Sequence, residues 1–244
     1  MVESQIGFVF DFDGTLLDDI WLVREFPRLM AEFYQIQIPE SKLQEYSQEI
    51  FEILSTTGDK NVIIRTLLNL AKRFGFPWYR RITFLKNADR IYKQKILDCP
   101  LFPNTIEKLR EIAKTGPIGL FSTTPHHEIV RRCSNKPGLL ELFGENIMAG
   151  DDSEHSKPDP EGLLKLSQKW GIPPNRLVMI GDMNTDTIPA KKVGAVAVGV
   201  LSGYATRQLM EEYGADIIIE TVANLPDVIP QIRQFITRKN INIT

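Results

Sequence analysis

Cysteine is scarce in this 244-residue chain: there are two, Cys99 and Cys133, with no CxxC spacing and no histidine cluster beside them. That gives no basis for a disulfide framework and predicts a reduced compartment with both thiols inert. Long apolar runs are missing too. No stretch approaches the ~18 consecutive apolar residues of a membrane-spanning helix. The first apolar run, residues 6–10, is too short for a signal peptide. Strong charge of one sign is also lacking, since Lys and Arg number 29 against 31 Asp and Glu, a formal net charge of −2. This balance gives no electrostatic ground for nucleic acid or an anionic membrane as partner, and the basic pairs Lys72–Arg73 and Arg80–Arg81 read as solvated helix faces. Nor is there a Gly-rich nucleotide fingerprint, a P-loop or a Ser–His–Asp arrangement. The expectation is a soluble, cytoplasmic protein with one large domain or two smaller ones.

What is present is a series of short β-rich runs: "IGFVF" (6–10), "PIGLF" (117–121), "RLVMI" (176–180), "AVAVGV" (195–200) and "ADIII" (215–219). They are nearly continuous in apolar residues rather than alternating, as strands covered on both faces should be. Helical stretches at 105–114, 161–170 and 185–193 lie between the later runs. The succession predicts an α/β fold with a parallel sheet flanked by helices. Residues 20–97 break the rhythm and show only amphipathic helical patterns. "WLVREFPRLMAEFY" places Leu22, Phe26, Leu29, Met30 and Phe33 at helical spacing, and "NVIIRTLLNLAKRFG" stops at Gly75, a C-cap signal. The predicted organisation is an α/β core formed by 1–18 and 99–244, with a small α-helical domain, 19–98, inserted after the first strand. The tail "TRKNINIT" is expected to fray.

Ligands of open parallel sheets bind beyond the carboxyl ends of the strands, so the residues placed there carry the functional signal. The first strand ends in "GFVFDFDGTLLDD", with Asp11 and Asp13 two apart and Gly14 and Thr15 following. Two carboxylates side by side at the end of a buried strand repel each other and cost desolvation unless a positive charge is held there. Ser122, Thr123 and Thr124 follow "IGLF", "GDMNTD" brings Asp182 and Asp186 after the fourth run, and "SKPDP" brings Lys157 ahead of the helix at 161.

"DFDGT", "FST", "SKPDP" and "GDMNTD" resemble, in order and spacing, the four signature motifs of the haloacid dehalogenase superfamily, and the helical insert resembles its C1-type cap. The branch it looks like is that of phosphoglycolate phosphatases and phosphoglucomutases. The resemblance implies a Rossmann-like core and a Mg²⁺-dependent phosphatase acting on a small phosphorylated metabolite through an aspartyl-phosphate. It casts Asp11 as nucleophile, Asp13 as general acid and base, and Ser122 and Lys157 as phosphoryl-binding groups. Asp11, Asp182 and the main-chain carbonyl of Asp13 would hold Mg²⁺, a hard ion suited to oxygen ligands. Gly14 and Thr123 would stand at the substrate, and Asp186 is divided between a first-turn helix acid and a group holding water or Lys157.

The second motif departs from the pattern, because Thr123 stands where many relatives carry Asn. His126 and His127 behind it read as exposed first-turn residues. In the insert, "STTGDKN" (55–61) resembles a specificity loop, with Lys60 divided between a substrate contact and a solvated turn lysine. Two rivals stay open, a phosphomutase of the β-phosphoglucomutase type and a non-catalytic binding relative; Asp13 argues against a dehalogenase. Phosphoglycolate, sugar phosphates, nucleotides and pyrophosphate all remain candidate substrates, and a monomer and a homodimer are equally open.

Overall fold

A computed structural model describes residues 5–56 and 60–241. The chain divides into two compact units, Met1–Asp18 with Pro100–Thr244, and Asp19–Cys99.

In the first unit, six strands form one wholly parallel sheet: β1 Gly7–Phe10, β2 Ile118–Phe121, β3 Ile147–Met148, β4 Leu177–Gly181, β5 Val196–Val200 and β6 Ile217–Ile219, in the order β3-β2-β1-β4-β5-β6. This is the parallel α/β sheet expected from the near-continuous apolar runs. β1 is central, with Phe8 beside Ile118 on one side and Val178 on the other, and β1, β2, β4 and β5 are buried along their whole lengths. β2 starts at Ile118 because Pro117 has no N–H to donate; its carbonyl still accepts from Phe8 N–H at 2.9 Å.

Among the described residues, the second unit is built mainly from the α-helices α1 Ile20–Phe33, α2 Glu40–Thr56, α3 Lys60–Arg73 and α4 Arg81–Lys95. Gly75, at φ +81°, lies just past α3. Phe84 anchors an aromatic cluster, stacked on Tyr34 with ring centroids 5.5 Å apart and edge-on to Phe74 and Phe76 at 5.9 and 5.3 Å. The spacing argument overstated one position: Phe33 is 43% exposed, and its ring is covered on one side by Arg90 at 5.3 Å.

The first unit then carries α5 Thr105–Ala113, α6 His126–Cys133, α7 Leu139–Phe143, α8 Glu161–Trp170, α9 Asn184–Lys192, α10 Arg207–Glu212 and α11 Leu225–Ile241. Val9, Phe121, Leu177, Met179 and Ala197 of the sheet pack with Leu163 and Leu166 of α8 and Ala190 of α9 in one buried cluster. At ~25 cal/mol per Å² of apolar area, such burial is the main term holding helices to the sheet. Of the tail expected to fray, 237–241 continue α11, and 242–244 lie outside the described residues. Among the described residues no helix is long and apolar enough to cross a membrane.

Candidate active site

Asp11 directly follows β1, and its N–H continues the ladder to the Ile180 carbonyl at 2.8 Å. Asp182 directly follows β4, Asp186 lies in the first turn of α9, and Lys157 comes from the loop ahead of α8. Lys157 Nζ donates to Asp11 Oδ1 and to Asp186 Oδ1, each at 2.6 Å, with its side chain only 1% exposed. The ammonium also lies 4.9 Å from the centre of the Phe121 ring, within cation–π range. Asp186 does both things the sequence left open, because its Oδ2 accepts from Met183 N–H at 3.1 Å while Oδ1 holds Lys157.

Asp182 is fixed at both oxygens. Oδ1 accepts from Thr15 Oγ1 at 3.3 Å and Oδ2 from Tyr204 N–H at 2.8 Å. Two glycines make room for it. A Cβ on Gly203 would sit 2.0 Å from Asp182 Oδ2, and one on Gly14, at φ +73°, would sit 2.4 Å away. Gly14, expected at the substrate, is thus needed first for the close approach of Asp182 and for a left-handed backbone.

Burial pushes the Asp11 carboxyl up to about 8; Lys157 pulls it down, and the charge of Asp186 adds to the rise. Burial pulls the Lys157 ammonium down, but Asp11 and Asp186 more than offset that, so it is raised and stays a cation. One lysine thus serves two of the acids, Asp11 and Asp186, and leaves the cluster with an excess of negative charge. Carboxylate oxygens of Asp11, Asp182 and Asp186 all lie within 4.8 Å of one another. A buried, all-oxygen donor set without sulfur or imidazole fits a hard dication such as Mg²⁺. His155, Asp159 and Glu161 form a second cluster of candidate ligands, one that is more exposed and includes an imidazole. There, however, Glu161 is engaged by the N–H groups of Glu154 and His155 and by Lys165 at 2.7 Å, which accounts for it as a loop fastener.

Asp13 sits apart from that cluster in its contacts. Its Oδ2 accepts from Thr124 Oγ1 and its Oδ1 from Arg132 Nη1, both at 2.7 Å. Thr124 N–H in turn donates to Ser122 Oγ at 3.1 Å. Ser122 is 2% exposed and stands four residues ahead of α6, too far to act as its N-cap. Thr123 exposes its side chain, and its carbonyl passes so close to Gly150 that a Cβ there would lie 2.2 Å from it. His126 and His127 are exposed in the first turn of α6, His126 with Nδ1 3.2 Å from Asp152 Oδ2. Lys60 opens α3, but its side chain and residues 57–59 of the "STTGDKN" turn lie outside the described residues.

Sequence reasoning did not single out Arg132, Thr15 or Tyr204. Thr15 stands inside "DFDGT" and was within reach of that motif; Arg132 looks like any arginine on a polar helix.

The family model described as haloacid dehalogenase-like hydrolase matches residues 8–200. The phosphoglycolate phosphatase of Escherichia coli (strain K12) is 28% identical over 245 residues, covering 91% of this chain and 92% of that one. The phosphoglycolate phosphatase of Mannheimia succiniciproducens is 25% identical over 238 residues, with 93% and 100% covered. The solved structure of a HAD family hydrolase from Deinococcus radiodurans R1, with bound phosphate and sodium, superposes with a TM-score of 0.71 at 20% identity, covering 94% of this chain and 96% of that one.

Proposed function

Since the chain belongs to the haloacid dehalogenase-like hydrolase family, we propose that it is a Mg²⁺-dependent phosphatase of small phosphomonoesters, working through an aspartyl-phosphate on Asp11. The observation that carries this reading is the placement of Asp11. It is a buried carboxylate at the end of the central strand, held by Lys157 at 2.6 Å, with the Asp182 and Asp186 carboxylates beside it.

In this reading Asp11, Asp182 and the main-chain carbonyl of Asp13 would hold Mg²⁺, which would supply charge neutralisation at the phosphoryl oxygens for an anionic nucleophile. The remaining work falls to the side chains. Asp11 attacks phosphorus and forms a P–O bond as the bond to the leaving oxygen breaks. Asp13 gives that oxygen a proton; it then takes one from the water that attacks the phosphoaspartate, releasing phosphate and restoring Asp11. Ser122, its Oγ oriented by the N–H of Thr124, donates its hydroxyl to a phosphoryl oxygen. Lys157 offsets phosphoryl charge at the site it already shares with Asp11. Asp186 keeps Lys157 aimed, and the exposed Thr123 offers its main-chain N–H. The helical segment 19–98 serves as a cap that selects the leaving group.

The relatives' names put 2-phosphoglycolate first in the substrate panel. The test is phosphate release with Mg²⁺ from phosphoglycolate, sugar phosphates, nucleotides, pyrophosphate and an activated aryl phosphate. Turnover of at least one phosphomonoester, lost on chelation, supports the reading. Release from none, the aryl phosphate included, contradicts it and favours a binding protein. Transfer between sugar positions without net release favours a mutase.

A further inference from the structure

Asp13 is gripped at both carboxylate oxygens, and one grip comes from a cation on α6, 119 residues away in sequence. The Arg132 side chain is 10% exposed and that of Asp13 25%. A guanidinium so deeply placed is costly unless its charge is matched. Besides Asp13 at 2.7 Å, Glu128 Oε2 lies 3.8 Å from Nε, and the same Glu128 oxygen accepts from Arg131 at 2.6 Å. The backbone under Arg132 is tied as well, because Lys136 Nζ donates to its carbonyl at 2.6 Å. Arg132 is therefore a rigid post, built from the α6 side of the sheet edge.

We propose that Arg132 is the positioning residue of Asp13. A carboxylate turns about two side-chain torsions, and one hydrogen bond leaves its plane free to swing. Two donors on different oxygens, one a planar guanidinium and one a hydroxyl, fix both the plane and the tilt. Each oxygen keeps a second lone pair, so the clamp leaves a proton site of defined direction. Holding that direction before substrate arrives is the kind of preorganisation that converts a nearby acid into an efficient one. The catalytic use of the clamp rests on the phosphatase reading; the clamp itself does not. A plain structural role would also place Arg132 against Asp13, and the two differ in what its loss does.

The experiment compares wild type with Arg132→Met by crystallography and by the rate of phosphoenzyme formation from an alkyl and an activated aryl phosphate. In Arg132→Met the Asp13 carboxylate should leave its present plane. The alkyl rate should fall ~10- to 100-fold, within the usual span of general acid catalysis. The aryl phosphate, whose leaving group needs little protonation, should lose less than about threefold. An unmoved Asp13, or equal losses on both substrates, would overturn the proposal and leave Arg132 as an ion pair of the fold. If wild type cleaves neither phosphate, the phosphatase reading and the catalytic use of the clamp fall together; the crystal structure still decides the clamp. Should Arg132→Met fail to fold, Thr124→Val removes the other grip with the charge intact. The same swing and the same alkyl-selective loss are then expected, and their absence overturns the clamp.

Discussion

Replacing Lys157 with Met should be among the most destabilising changes in this chain. The ammonium makes two bonds of 2.6 Å to carboxylates, and its side chain is 1% exposed. Hydrogen bonds to charged groups contribute ~1.5–3 kcal/mol each, and removing one member of a buried ion pair costs ~3–5 kcal/mol because the partners stay behind uncompensated. The expected loss is thus ~3–5 kcal/mol, measured by urea unfolding in the presence of chelator. Its pH dependence is fixed in sign. The folded-state pKa of Asp11 is raised from 3.8 to about 8, so the cost of ionising it grows as pH climbs through that window. Without Lys157 that carboxyl rises further, so the Asp11 share of the Lys157→Met deficit should be small below about pH 8, where Asp11 is protonated in both proteins, and grow as pH rises above 8. Adding Asp186→Asn to Lys157→Met should recover part of the loss, since it removes a stranded charge, and the double-mutant cycle should show coupling above ~1 kcal/mol. A single-mutant loss below ~1 kcal/mol, or no coupling, would refute the view that this lysine partly neutralises the cluster.

Gly203→Ala should lower stability by ~1–3 kcal/mol in a thermal melt, because its Cβ would lie 2.0 Å from Asp182 Oδ2; an unchanged Tm would mean that Asp182 has slack. Cys99 and Cys133 are buried, and burial pushes the Cys133 thiol up to about 11, so both should resist a thiol-specific dye at pH 8 until denaturant is added. The same shift predicts that the stability tied to the buried Cys133 thiol is intact below pH 9 and is lost as pH rises from 9 to 11. Rapid native labelling of Cys133 would contradict that. Chelation should abolish turnover and Mg²⁺ should restore it, as judged by phosphate release.

The sheet was legible because β1, β2, β4 and β5 are buried on both faces and therefore apolar at nearly every position. β3 was not, since Ile147–Met148 is too short to carry a pattern and is recruited by pairing with β2. The prolongation of α11 was hidden by the polar "TRKN" run, which is locally poor in apolar residues. At the site, acids that directly follow strands could be read off one by one, as Asp11 and Asp182 were. Asp186 resisted assignment because its two oxygens have different partners, one local and one 29 residues away. Arg132 was invisible for a related reason. The residues before it on α6, His126, His127, Glu128 and Arg131, are mostly polar, and nothing local shows that Arg132 shares a buried face with Ile129 and Cys133 and reaches Asp13, 119 residues away.

The central claim is that Asp11 is the nucleophile, and its direct test is kcat for Asp11→Asn with an activated aryl phosphate and saturating Mg²⁺. An amide neither attacks phosphorus nor serves well as an Mg²⁺ ligand, while the fold should survive because a buried acid with a raised pKa has been removed. The account predicts a folded protein that keeps less than about a thousandth of wild-type kcat, a barrier higher by ~4 kcal/mol. A folded Asp11→Asn protein that retains more than that would contradict it.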